Sequence, residues 1–192
     1  KNFENAIEQI FNEGSGGAST FSYQNAKKAI TYGVEVEARK KLNKFFTLQA
    51  NASLVRSKIQ DENLKLERQL QGQSPYLVNI GLLYDVVEKG FNATLLFNQI
   101  GERIYLVGDM QAGSASPDIY EAPRALVDFQ MSKKLMNNKA EIKFTISDLL
   151  NQQQTFYQNL NTNNPKYEKG VDAVRFSRKF GSTFGISFNY SL

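Results

Sequence analysis

The chain of 192 residues contains no cysteine and no histidine. The first absence removes disulfide frameworks, thiolate zinc sites and cysteine nucleophiles together. It also agrees with an oxidising bacterial compartment, where a stray thiol is a liability. The second absence removes the Ser-His-Asp triad and most zinc and iron sites. Charge of one sign is not concentrated either. Lys plus Arg is 23 and Asp plus Glu is 19, for a net charge of +4 and a pI near 9.1. No block of five like charges occurs, which argues against a dedicated nucleic-acid tail. No apolar run approaches the ~18 residues of a transmembrane helix. No secretion signal opens the chain, because Lys1 to Ile10 mixes Lys, Glu and Asn with its apolar residues. The length suits one domain, or a piece of a longer one.

What the sequence does contain is strict alternation. Phe184, Ile186, Phe188, Tyr190 and Leu192 alternate with Thr183, Gly185, Ser187, Asn189 and Ser191. Ala140, Ile142, Phe144 and Ile146 alternate with Glu141, Lys143, Thr145 and Ser147. A period of two marks a strand with one apolar and one polar face. The same pattern recurs around Tyr32–Arg39, Phe46–Leu54, Val78–Asp85, Phe91–Asn98 and Ala125–Ser132. The first segment fits two templates: Phe3, Ile7, Ile10 and Phe11 share a helical face, while Phe3 and Ala6 also fit a strand. A strand is expected there, because a lone helix would break the series. The count is then eight strands.

The connections alternate in length. Lys41–Lys44, Val87–Gly90 and Met136–Lys139 are short and carry turn formers or charges. Asn12–Thr20, Asp61–Ser74, Gly108–Pro123 and Asn159–Gly170 are longer and polar. Short and long links in turn describe an up-and-down meander with its long loops at one end. A soluble sandwich also alternates. Three features favour a membrane barrel. The apolar face runs unbroken for about ten residues in several segments, which suits a tilted transmembrane strand. Aromatics sit at segment ends, at Tyr32, Phe45, Phe46, Tyr76, Tyr84, Phe91, Tyr105 and Tyr190, as in an interfacial girdle. The last segment stays apolar at alternate positions to Leu192.

No motif implies catalysis. Gly14-Ser-Gly-Gly17 lacks the Gly-Lys-Ser/Thr of a phosphate loop and reads as a loop tip. Asn51-Ala-Ser53 and Asn92-Ala-Thr94 match a glycosylation sequon inside expected strands and read as chance. Asp61 with Glu62, and Asp109 with Asp118, are the acidic pairs a loop-bound calcium would use, but their spacing matches no calcium loop. Glu35, Glu37, Arg39, Glu141 and Lys143 fall on the polar face, as a hydrated wall of cross-strand pairs or as contacts to a solute path. No catalytic, cofactor-binding or metal residue is assigned, and substrate-binding residues stay unassigned.

Several segments resemble the C-terminal part of the barrel of TonB-dependent outer-membrane receptors. Thr31-Tyr-Gly-Val-Glu-Val-Glu-Ala-Arg39 resembles a strand that this family writes as Gly-Val-Glu followed by alternation. Arg68-Gln-Leu-Gln-Gly-Gln-Ser-Pro-Tyr-Leu-Val-Asn79 is similar to a loop-to-strand entry, and Gly101-Glu-Arg-Ile with Pro117-Asp-Ile-Tyr-Glu121 to the next external loop. Ile146-Ser-Asp-Leu-Leu-Asn151 resembles the exit of the penultimate strand. The resemblance implies an all-β, antiparallel up-and-down transmembrane barrel in the bacterial outer membrane. Residues 1–192 would be the C-terminal barrel portion, about eight strands of a barrel of about 22. The remaining strands and a plug domain would lie elsewhere. It also implies active uptake of a scarce solute, gated by the plug and powered by TonB. The partners would be those strands, the plug, TonB and membrane lipid, with a surface lipoprotein as a further candidate and no nucleic acid. Two alternatives stay open: a self-contained eight-stranded outer-membrane barrel with a structural or adhesive role, and a soluble β-sandwich or lipocalin-like binding protein.

Overall fold

The computed structural model describes residues 1–13, 18–61, 66–109, 116–160 and 166–191. The strands in chain order are β1 (Asn2–Glu13), β2 (Ser19–Lys41), β3 (Phe46–Asp61), β4 (Leu66–Arg68), β5 (Tyr76–Val86), β6 (Phe91–Ile100) and β7 (Arg103–Gly108). There follow β8 (Ile119–Glu121), β9 (Arg124–Leu135), β10 (Ala140–Ser147), β11 (Gln154–Gln158), β12 (Ala173–Arg178) and β13 (Thr183–Tyr190). The only helical element among the described residues is a 3-10 turn at Val87–Lys89.

Eight strands form the expected meander, in the order β1-β2-β3-β5-β6-β9-β10-β13, every neighbouring pair antiparallel. The first segment is a strand, not a helix. Direct partners share a face, so the registers join the alternating residues into two continuous surfaces. One is apolar: Ala38 faces Ala50, Ala50 faces Ile80, Ile80 faces Phe97 and Phe97 faces Val127. Further along, Met131 faces Phe144 and Phe144 faces Ile186. The other is polar: Glu37 faces Asn51, Asn51 faces Asn79 and Asn79 faces Asn98. On the same polar face Gln130 faces Thr145 and Glu141 faces Asn189.

Val34, Leu54, Ile80, Ile186 and Phe188 are exposed on the apolar face, at 68%, 66%, 40%, 79% and 60%. A face this apolar and this uncovered has no place in water and is what a lipid-facing wall presents. Its limits are legible. At the turn end Phe46, Tyr84, Phe45 and Phe91 form a ring cluster, with centroids 4.8 Å apart for Phe46–Tyr84 and 5.9 Å for Tyr84–Phe91. At the other end Tyr32 and Tyr76 stand where Val34 and Leu54 give way to Arg56. Tyr76 to Tyr84 spans about 26 Å along the strand at ~3.3 Å per residue, or about 20 Å of height at a barrel tilt of ~40°, most of the ~25 Å of an outer-membrane apolar band.

The three short links close at one end. Gly90 has φ +56°, and a Cβ there would also come within 2.9 Å of the Lys134 side chain. Met136, Asn137 and Asn138 all take positive φ in the β9–β10 turn. The long links stand at the opposite end, but they are not loops in the ordinary sense. β7, β8, β11 and β12 make a second sheet, and β4 folds back on β3. The expected link Asn12–Thr20 is a further correction. Asn12 pairs with Thr20 and Glu13 with Ser19, so the β1–β2 hairpin runs on as paired strands to residues 13 and 19. The expected tips at Gly14–Gly17 and Ala112, and the terminal Leu192, lie outside the described residues.

The sheet does not close. β1 and β13 share no ladder. β13 pairs only with β10, while β1 pairs with Ser19–Ile30, the outer half of β2. Tyr32–Lys41 of β2 therefore has a partner on the β3 side alone. Among the described residues the other edge of β1 is paired with a strand at Ile10 and Phe11, by two parallel pairs with β7, and is met beside them by Gln71 at Gln9 and by Ser116 at Glu13.

Candidate functional site

Most of the buried side chains of the described residues belong to the layer at the long-link end, because the wall strands carry one layer each. Phe11, Leu106, Ile119 and Phe156 form one core, with Tyr105 and Phe176 against it. The Phe156 and Phe176 rings stack at 4.3 Å, and Tyr105 lies 4.4 Å from Phe156. Tyr105 is thus a core residue of this layer and not part of the aromatic girdle. Arg178 sits over both stacked rings, 5.3 Å from Phe156 and 5.2 Å from Phe176. Gly108 belongs here for steric reasons: a Cβ on it would collide with the Ser116 carbonyl.

Polar staples tie the layer to the wall. Glu8 on β1 is 1% exposed and takes a two-pronged ion pair from Arg68, at 2.9 and 2.5 Å. Gln71 accepts from the Gln9 N–H at 2.7 Å and donates to the carbonyls of Gln9 at 3.1 Å and Tyr105 at 2.7 Å. One amide thereby holds the β4–β5 link, β1 and β7 together. The Leu70 N–H donates to Ser57 Oγ at 3.0 Å, and Leu70 packs on Ala29 and Ile59. Ser57 and Ile59 continue the polar face of β3 outward in register. The layer therefore leans over the polar side of the wall and leaves the apolar side uncovered.

A second staple joins β7, β8 and β11. Arg103 donates to Glu121 at 2.7 Å, and Gln154 donates to the other oxygen of Glu121 at 2.6 Å. The Tyr157 hydroxyl donates to Glu102, the last residue of the β6–β7 link. Asp172 accepts from the Leu160 N–H at 3.0 Å and the Glu168 N–H at 2.7 Å. Burial pushes the Glu102 carboxyl above its ordinary range, against the hydrogen bonds from Tyr157 and the Tyr167 backbone. Burial also raises Asp118, despite the Gly108 N–H at 2.8 Å. The Tyr120 phenol is pushed up to about 12, chiefly by burial. The Tyr157 phenol is raised too, by burial and then by its bond to Glu102.

The polar-face residues singled out from sequence stand on the wall as a hydrated lining. Asn51 donates to Glu35 at 2.6 Å, and Asn98 donates to Asn79 at 2.5 Å. Asn92 donates to Ser132 at 2.9 Å and Ser132 to Glu141 at 2.7 Å. Arg39 faces Gln49, and Lys143 faces Ser132 and Ser187. Glu37 faces Asn51. The structure does not gather these five into one cluster. Of the acidic pairs, Asp109 accepts from Asn12 at 3.3 Å and Asp118 from Gly108. The Asp61 side chain and Glu62 lie outside what is described. Sequence reading missed Glu8, Gln71, Glu102, Tyr157 and Asp172. Their signal is burial, and no periodicity encodes burial inside a loop layer.

Comparison with known proteins agrees with this architecture. The model of the outer membrane protein beta-barrel family matches residues 1–190, and the chain belongs to that family. It is a bacterial outer-membrane β-barrel chain. Among solved structures it is similar to the copper transporter OprC, at 16% identity and a TM-score of 0.63 over 100% of this chain. It is also similar to the ferric enterobactin receptor PfeA from Pseudomonas aeruginosa, at 16% identity and a TM-score of 0.58 over 97% of this chain. In both cases the chain spans 27% of the solved protein's length. No curated protein matches. Both likenesses are likenesses of fold. With the family in hand, the short-turn end is periplasmic and the strand-built layer external, as in outer-membrane barrels generally.

Proposed function

We propose that this chain is the C-terminal barrel portion of a TonB-dependent active-transport receptor, with no enzymatic step of its own. The observation that carries the reading is an open eight-strand wall whose external links fold over its polar side as a packed second sheet. A closed barrel of eight strands fills its interior with side chains. Here the polar face instead carries Glu, Gln, Asn, Arg and Lys across its width, which suits the wall of a wide, hydrated lumen. An open sheet edge is prohibitive in lipid, so the wall needs more strands. The wide, plugged barrels of outer-membrane transporters supply them. In this reading the layer over the lumen forms the outer vestibule. The solute reaches a plug supplied by the rest of the protein, and TonB moves that plug at the expense of the proton gradient.

The test uses the complete protein in cells. Accumulation of ferric and cupric chelates, oligosaccharides and peptides is compared between wild type, a strain lacking the protein and a strain lacking TonB. The expected result is one solute class whose uptake needs both proteins and stops on adding a protonophore. Uptake that persists without TonB and with the gradient collapsed would overturn the reading in favour of a passive or structural barrel.

A further inference from the structure

Among the described residues the ion pairs Glu8–Arg68, Arg103–Glu121, Arg124–Asp148 and Glu13–Arg175 all lie at the external end. The periplasmic end is built differently. Lys40 and Lys41 end β2, Lys44 lies in the first turn, and Lys133 stands on β9 just before the third turn, all exposed. None of these belongs to an ion pair among the described residues. Their placement by face is specific. Lys40 faces Leu48 and Lys133 faces Phe91, so both continue the apolar, lipid-facing surface. Lys44 Nζ lies 4.7 Å over the Phe45 ring, and Lys133 Nζ donates to the Lys89 carbonyl at 2.5 Å beside the aromatic girdle. The carboxylates of this end point elsewhere. Asp85 faces Asn92, Glu37 faces Asn51 and Glu141 faces Lys134, all on the polar side. Glu88 lies in the second turn itself.

We infer that the lipid-facing rim at Lys40, Lys44 and Lys133 binds the phosphates of anionic phospholipids in the periplasmic leaflet. Lys133 stands four strand spacings, about 19 Å, from Lys40 and so meets a different lipid. The inference rests on the orientation in which the short turns are periplasmic. Lysine stems lie along apolar surface while their ammonium groups reach the headgroup level. Aromatic rings at the same level fix that depth. An ammonium group held there without a carboxylate partner takes its counter-charge from the lipid. The external rim has lipid-facing cations of its own, Arg56 and Lys28, so the two leaflets must be separated chemically.

The test places the complete protein in nanodiscs of phosphatidylcholine, with or without phosphatidylglycerol, and counts retained lipids by native mass spectrometry. A parallel set replaces phosphatidylglycerol with lipopolysaccharide. Wild type should retain phosphatidylglycerol selectively. Lys40→Gln, Lys44→Gln and Lys133→Gln should each weaken that preference about fivefold, and less in high salt. Their lipopolysaccharide binding should be unchanged. Lys134→Gln, on the luminal row, is the folding control and should retain wild-type selectivity. Three results would overturn the inference: no phosphatidylglycerol preference in wild type, equal loss in the Lys134 variant, or loss of lipopolysaccharide binding alone. If the periplasmic rim binds phosphatidylglycerol but uptake proves TonB-independent, the lipid site stands and the transport reading falls.

Discussion

At the residue scale, the decisive fact is which face a side chain takes. Phe144 and Leu48 sit within the apolar band, flanked by Met131 and Ile186 and by Lys40 and Leu82. An Arg at Phe144 should cost about 2–4 kcal/mol, whereas at Leu48, opposite the rim residue Lys40, the cost should fall toward ~1 kcal/mol. Thr145→Arg, one residue from Phe144 on the polar face, should cost far less than Phe144→Arg. Refolding titrations of the complete protein into lipid vesicles measure both, and equal costs would refute the face assignment. The Glu8–Arg68 pair makes a separate case. With Glu8 1% exposed, Arg68→Met leaves an uncompensated buried carboxylate. The expected local loss is about 3 kcal/mol, read as faster hydrogen exchange at Gln71 and Gly72. Adding Glu8→Gln should recover part of it.

At the scale of elements, the external layer is a small folded unit hung on the wall by Gln71, Glu8 and Ser57. Its titration has a definite sign. Glu102 is raised above its ordinary 4.5 and Asp118 above 3.8, both first by burial. The folded layer therefore binds protons more tightly than the unfolded one. Its stability is greatest below the ordinary carboxylate range and declines as pH rises through the raised values. Hydrogen exchange of β7 and β11, corrected for the intrinsic pH dependence of exchange, should show stronger protection at mildly acidic than at neutral pH. Glu102→Gln keeps an acceptor for the Tyr157 hydroxyl and should flatten much of that dependence. A variant with the full wild-type slope would assign the effect elsewhere. The absence of native cysteine gives single-cysteine labelling a clean background. In whole cells a cysteine at Val171 should react with an impermeant reagent, and one at Asn138 should not. Equal reactivity would refute the orientation.

At the scale of the whole molecule, the missing ladder between β1 and β13 governs everything else. Neither edge strand has enough partners to sit in lipid. Cysteines introduced at Phe3 and Phe188 in the complete protein should not form a disulfide, because in the proposed receptor other strands lie between them. Efficient cross-linking within one chain would restore the self-contained eight-stranded barrel. Produced alone, residues 1–192 should show β-rich circular dichroism without an α-helical signature, and should aggregate in detergent while the complete protein stays monodisperse.

The sequence by itself determined the wall. Alternation at a period of two places Val34, Ile80, Phe144 and Ile186 on one face, and the registers only confirm it. Charged and turn-forming residues at Lys41–Lys44, Val87–Gly90 and Met136–Lys139 set the periplasmic ends. This is legible because lipid on one side and water on the other impose opposite demands on successive residues. The external layer was not legible. In Ile104–Gly108, Phe156–Gln158 and the outer β1–β2 hairpin, both faces meet protein or water, so strands form without a clean alternation. Glu8, Gln71 and Tyr157 acquire their roles only when segments about 60 residues apart come together. Tertiary structure alone decided that Tyr105 is core and not girdle, that the long links form a sheet, and that the β1–β2 ladder is confined to the outer half of β2. Each of these depends on which distant backbone satisfies a given N–H and C=O, and the local sequence carries no record of that choice.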